Sequence, residues 1–105
     1  MNFAKDDEAF PGALTQHEFR HRIEQKVREL MVTKLGVRPE TLQNSDSSTS
    51  LLGSGIGLDS MEALTLAVEL EEAFAIEIAD EDLTATLFSS FDALTDYLVK
   101  RQRNG

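Results

Sequence analysis

An all-α fold, with three main helices and one short one, is what this sequence predicts. Three observations carry the prediction. Apolar residues recur at intervals of three and four between Gln16 and Leu35; a glycine-dense loop gives way at Asp59 to a capped apolar stripe; and Ser89 and Ser90 precede a third stripe that ends on basic residues. The length agrees, since 105 residues with 41 % hydrophobic content suffice for one modest core and are too few for two.

The first helix is read from Phe19, Ile23, Val27, Leu30, Met31 and Leu35, which form one stripe with charged residues between them. Gly36 suits a left-handed helix end, and Pro39 bars easy continuation. Residues 1–15, MNFAKDDEAFPGALT, show no sustained period and hold a Pro11-Gly12 turn signal. They read as a loosely ordered N-terminal extension, with Phe3, Phe10 and Leu14 as candidate anchors, ahead of a domain over residues 16–105. Between the first and second helices runs a long polar loop, RPETLQNSDSSTSLLGSGIG. Leu42, Leu51, Leu52, Ile56 and Leu58 are expected to tie it down, with most mobility from Asn44 to Ser50.

Asp59 then caps a second helix from about Ser60 to Phe74, and Glu62, three residues on, completes a capping box. Leu64, Ala67, Leu70, Ala73 and Phe74 supply its expected core stripe. Ile76 and Ile78 alternate through a short extended link into a single helical turn starting at Asp80. Ser89 or Ser90 caps the last helix, whose Phe91, Leu94, Tyr97 and Leu98 face inward and whose Lys100, Arg101 and Arg103 suit the negative end of the helix dipole.

The formal charge is −9, and its distribution says more than its total. Asp59, Glu62, Glu69, Glu71, Glu72, Glu77, Asp80, Glu81 and Asp82 place nine carboxylates within 24 residues that contain no Lys or Arg. The other ten acids balance the ten basic residues, so the whole imbalance lies in this segment. Nucleic acid and anionic membrane, both bound mainly through Lys and Arg, are thereby disfavoured as partners, and a basic protein surface is favoured. The absence of cysteine excludes disulfides, thiolate metal sites and cysteine catalysis. With no long apolar run and an acidic first decad, the expectation is a soluble, cytoplasmic, monomeric protein that neither inserts in membranes nor binds nucleic acid.

Four patterns invite an enzymatic reading, and each has a simpler one. HEFRH, His17 to His21, formally matches a zinc-peptidase motif, but both histidines lie roughly 160° around the helix from Phe19, facing solvent. A catalytic zinc needs three protein ligands, and the chain has no third His and no Cys. GSGIG lacks the Lys-Ser/Thr end of a phosphate-binding loop, so Gly53, Gly55 and Gly57 are read as left-handed or close-packed turn residues. DEDL lacks the alternating oxygens and central glycine of a calcium loop. Ser60 lacks the flanking glycines of a hydrolase elbow. It is a helix N-terminal serine whose exposed hydroxyl can serve as a point of attachment, because unpaired amides and the helix dipole stabilise a phosphate esterified there.

The run GLDSMEALTLAVELEEAFAIEIADEDL, followed by SSFDALTDYLVKR, resembles the acyl carrier protein family. The family's hallmark is an Asp-Ser-Leu-like triplet at the start of a second helix, then an acidic stretch ending in Glu-Glu-x-Phe. The resemblance covers about residues 18 to 101. It implies a four-helix bundle, with a long loop between the first two helices, that is not itself an enzyme. It further implies 4'-phosphopantetheine moved from coenzyme A onto Ser60 by a phosphopantetheinyl transferase, beside Asp59, with cargo held as a thioester on the arm. The enzymes that load and use that cargo would dock basic patches on the second helix, a role that falls by position to Asp59, Met61, Glu62, Leu64, Val68, Glu71 and Glu72.

The chemistry of the acidic run supports such a role independently, since a one-sign patch steers quick, releasable encounters without a large apolar interface. Departures from the family pattern are Thr65 at a position often acidic, Ala79 in place of a common Pro, and the long apolar lead-in LLGSGIGLDS. They suggest a specialised stand-alone carrier in fatty-acid, lipid or secondary-metabolite synthesis. Carriage of aminoacyl, aryl or polyketide units, and an arm-less interaction module of the same fold, are the alternatives. Leu66, Ala67, Leu70, Phe74, Ile76 and Ile78 are read as core alone, since an apolar stripe at helical spacing is usually packing, with a space between helices that admits an acyl chain as the alternative.

Overall fold

The computed structural model describes residues 15–104. The expected N-terminal extension, with Phe3, Phe10 and Leu14, lies outside the described residues apart from Thr15. Helix α1 spans Gln16–Leu35 and opens on a full capping box: Thr15 Oγ1 accepts from Glu18 N at 3.0 Å while Glu18 Oε1 accepts from Thr15 N at 3.1 Å. Ile23, Val27, Leu30 and Met31 are its buried stripe, and Gly36 ends it in the left-handed conformation.

Pro39 does more than stop α1. It starts a five-residue helix, α2 (Pro39–Gln43), inside the segment expected to be loop throughout. Proline suits a first helical position, where its missing N–H has no intrahelical partner to lose. Leu42 plugs α2 into the core. The stretch from Asn44 to Ser50, expected to be the most mobile, is densely hydrogen-bonded. Asp46 Oδ1 accepts from Ser48 N, Ser48 Oγ and Thr49 Oγ1, bonds that hold its carboxyl below the usual carboxylate range.

Helix α3 spans Ser60–Phe74, the bounds its capping signals predict. Its buried face, however, is Ala63, Leu66, Ala67 and Leu70; Leu64 and Ala73, expected in the core, are exposed. Apolar residues ring much of this helix, so periodicity alone does not choose the face; packing does, because α1 lies against α3 on one side and against α4 on the other. A link through Ile76 and the buried Ile78 leads into a single 3-10 turn, Asp80–Asp82, and a run of turns reaches α4 (Phe91–Asn104). Ser90 caps α4, accepting from Ala93 N at 2.9 Å. Phe91, Leu94, Thr95 and Leu98 are its inaccessible face; Tyr97 is half-buried, its hydroxyl donating to Asp82 at 2.9 Å. The result is all-helical among the described residues, three long helices around one core with short helical pieces between them.

Candidate functional site

The approach to Ser60 is built as a closed loop. Leu51 and Leu58, both buried, bracket it; Leu51 N donates to Phe88 O at 3.1 Å and Leu58 N to Leu51 O at 3.0 Å, tying the loop to the segment before α4. Leu52 and Leu58 form an isolated parallel bridge, and Ile56 N donates to Ser50 O at 2.8 Å. Gly53 and Gly57 take positive φ, and Gly55 is packed directly on the Ser50 backbone, as the glycine spacing predicts. Ser60 therefore stands two residues beyond a buried anchor, on a rigid approach.

At the helix start, Asp59 Oδ1 accepts from Glu62 N at 2.8 Å and Glu62 Oε1 accepts from Asp59 N at 3.0 Å. The two carboxylates are thus held near the positive end of the α3 dipole. Ser60 is the first residue of α3 and is exposed; its hydroxyl, its amide and that of Met61 have no hydrogen-bond partner among the described residues. An exposed hydroxyl beside two unpaired helix amides is suited to carrying a phosphodiester, whose oxygens those amides and the dipole stabilise.

Three large hydrophobic side chains are exposed among the described residues, and all belong to α3: Met61 (70 %), Leu64 (46 %) and Val68 (51 %). Their spacing of three and four residues aligns them in one ridge that begins beside Ser60. Exposed Glu72 falls on the same side of α3, whereas exposed Glu62 lies about 100° around the helix from Met61, in the capping turn beside Ser60. Glu71, expected among the docking acids, is half-buried, and its Oε2 accepts from Ile78 N at 2.8 Å, so it braces the link after α3.

An open groove of about 1010 Å³ lies elsewhere, between α1, α2 and the loop that follows. It is lined by His17, His21, Arg20, Glu24 and Arg28 among others, and none of its lining residues belongs to α3. Its charges are internally spent: Arg20 pairs with Asp92 and Asp96, which raise its pKa against burial, and Arg28 pairs with Glu24 while stacking 4.1 Å over the Phe91 ring. No group of three His, Cys, Asp or Glu suited to a metal occurs among the described residues, and no described helix is long and apolar enough to cross a membrane. The Arg28–Glu24 pair, which also binds Leu42 O and Ser45 and Ser47 hydroxyls, was not legible as a fastening for the loop; the only signal was its four-residue spacing.

Comparison with known proteins bears on residues 25–98, which match the family model described as "Phosphopantetheine attachment site". An acyl carrier protein of Chlorobium phaeobacteroides is 32 % identical over 80 residues, a span covering 76 % of this chain and 95 % of that relative. No solved structure matches significantly.

Proposed function

We propose, from the premise that this chain belongs to the acyl carrier protein family, that Ser60 is the residue that bears its arm. The chain is a carrier and not an enzyme, and its cofactor is covalent 4'-phosphopantetheine. That group supplies a terminal thiol, on which an acyl unit travels as a thioester; the chain itself has no thiol of its own. What this chain's residues contribute is position. The capped start of α3 presents the Ser60 hydroxyl outward, and Asp59 fixes the turn beside it through the Glu62 amide.

The observation that carries the reading is the coincidence of the exposed, unpartnered Ser60 with the Met61–Leu64–Val68 ridge on the same helix. On this reading the transferase, and the enzymes that load or use the cargo, seat apolar residues on that ridge and basic residues on Asp59, Glu62 and Glu72. Glu71 contributes charge to the same face while bracing Ile78. The cargo class is an acyl intermediate of fatty-acid, lipid or secondary-metabolite synthesis, carried by a cytoplasmic monomer.

Incubation with coenzyme A and a broad-specificity phosphopantetheinyl transferase, followed by intact-mass measurement, tests the assignment. A gain equal to the arm is expected in the natural chain and none in Ser60→Ala. A gain that persists in Ser60→Ala moves the attachment elsewhere; no gain with any transferase supports an arm-less interaction module.

A further inference from the structure

The chain holds three methionines and no cysteine, so thioethers are the only sulfur it offers to an oxidant. Met1 lies outside the described residues. Met31 is wholly inaccessible on the buried face of α1, whereas Met61 is 70 % exposed, more than any other large hydrophobic residue among those described.

The position of Met61 gives that exposure a consequence. It follows Ser60 directly and opens the ridge that Leu64 and Val68 continue. Leu64 and Val68 are saturated hydrocarbon and inert to a mild oxidant; a thioether is not. The backbone of the same turn is held without help from the Met61 side chain. Asp59 Oδ1 accepts from Glu62 N, Ala63 N donates to Asp59 O at 2.9 Å, and Met61 O accepts from Thr65 Oγ1 at 3.0 Å. A change confined to the sulfur therefore alters the docking surface and leaves the helix start in place.

We propose that Met61 is a redox-sensitive modification site, at which a hydroperoxide turns off partner docking beside Ser60. The inference rests on the carrier reading above. In the step, a sulfur lone pair attacks the terminal peroxide oxygen, the S–O bond forms as the O–O bond breaks, and the proton of the transferred oxygen passes to the leaving one. Sulfur is oxidised by two electrons, and the peroxide is reduced to an alcohol, or to water when it is hydrogen peroxide. The resulting sulfoxide is polar. An apolar partner side chain seated on the ridge buries its oxygen without a donor, and that weakens docking. A peroxide suits the site because it is uncharged, whereas the Asp59 and Glu62 carboxylates at the start of the ridge repel anionic oxidants. A dithiol reverses the change: the sulfoxide oxygen leaves as water while the dithiol closes to a disulfide, the reaction that methionine sulfoxide reductases catalyse.

The test treats the chain with hydrogen peroxide before the arm is attached, so that no thiol competes for the oxidant. The natural chain and Met61→Leu are compared treated and untreated, together with treated natural chain after methionine sulfoxide reductases and dithiothreitol. Intact mass counts the oxygens gained, and the tryptic fragment over residues 35–100, in which Met61 is the only methionine, locates them. Arm transfer from coenzyme A by the broad-specificity transferase is then timed, each protein being compared with its own untreated sample. One oxygen is expected on that fragment of the natural chain, with kcat/KM for arm transfer falling roughly 5- to 150-fold. The melting temperature should move by less than about 4 °C, because the oxidised group is on the surface. Reductase treatment should restore the rate, and peroxide should leave Met61→Leu at its own untreated rate. Four results overturn the Met61 assignment: no oxygen on the fragment under peroxide that oxidises free methionine, an unchanged rate once Met61 is oxidised, an equal loss in treated Met61→Leu, or a loss that comes with a larger fall in melting temperature. Each of them leaves the carrier reading intact, whereas failure of the untreated natural chain to gain the arm overturns both.

Discussion

At Gly55 a side chain as small as a methyl would stand 1.9 Å from Ser50 O and 2.7 Å from its carbonyl carbon, both of them backbone atoms that no rotamer change removes. The same Ser50 carbonyl already accepts from Ile56 N, so moving it would also loosen the loop that leads to Ser60. Gly55→Ala is therefore expected to destabilise the protein by about 1–3 kcal/mol, the usual cost of overpacking, read as a lower urea midpoint. Ser54→Ala, one residue earlier and exposed, is the matched control and should stay within about 0.5 kcal/mol. Equal midpoints for the two variants would mean that the loop relaxes freely and does not fix the approach to Ser60. Residue-level signals were the most legible in the sequence where their physics is local: Asp59, Glu62 and Ser60 are a capping pattern complete within four residues. Thr95, whose buried Oγ1 has no hydrogen-bond partner among the described residues, left no such signal, because a threonine among Phe91, Leu94 and Leu98 looks like part of the stripe, and only its three-dimensional surroundings reveal the missing partner.

Helix ends show the same logic at the next scale. Helix α1 ends on Gly36 with φ 73°, whereas α3 ends on Ala75 with φ 55° and ψ 47°, the left-handed region in which a Cβ crowds the following carbonyl. Ala75 N nonetheless donates to Glu71 O, so the geometry is that of a true C-cap. Replacing Ala75 by Gly is expected to raise stability by about 0.5–1 kcal/mol, since glycine enters this region without the steric cost. A denaturant midpoint that falls in Ala75→Gly would show that the methyl contributes packing that outweighs its strain. The bounds of α1, α3 and α4 follow from caps and periodicity that span many residues, and they emerged from the sequence accordingly. Helix α2 did not, because five residues are too few to display a period and Pro39 signals both an end and a beginning. The rotation of α3 was likewise hidden. Met61, Leu64 and Val68 on one ridge and Ala63, Leu66, Ala67 and Leu70 on another give the helix two apolar faces, and only the presence of α1 determines which is covered.

For the whole molecule, the decisive feature is that the net charge of −9 is concentrated in one segment. Ion pairs among the described residues join Arg20 to Asp92 and Asp96, Lys26 to Glu29, and Arg28 to Glu24; none involves a carboxylate between Asp59 and Asp82. Some of those nine are partly compensated by neutral donors, as Glu71 is by the Ile78 amide and Asp82 by the Tyr97 hydroxyl, but the formal charges remain and repel. Unfolding separates them, so their repulsion is a penalty of the folded state. Raising salt from about 0.01 M to about 1 M shortens the screening length from about 30 Å to about 3 Å, less than the spacing between successive turns of α3. The melting temperature should therefore rise across that range, by at least about 4 °C if the relieved repulsion amounts to about 1 kcal/mol. Magnesium should achieve the same rise at much lower concentration, because a divalent ion hard toward oxygen associates directly with crowded carboxylates. Glu77→Gln with Glu81→Gln, both at exposed positions, should raise the melting point at low salt and flatten its salt dependence. A melting point indifferent to salt, magnesium and this double substitution would show that the acidic face exacts no cost in the free protein. In that case its concentration on α3 and the link would have to be attributed to its partners alone.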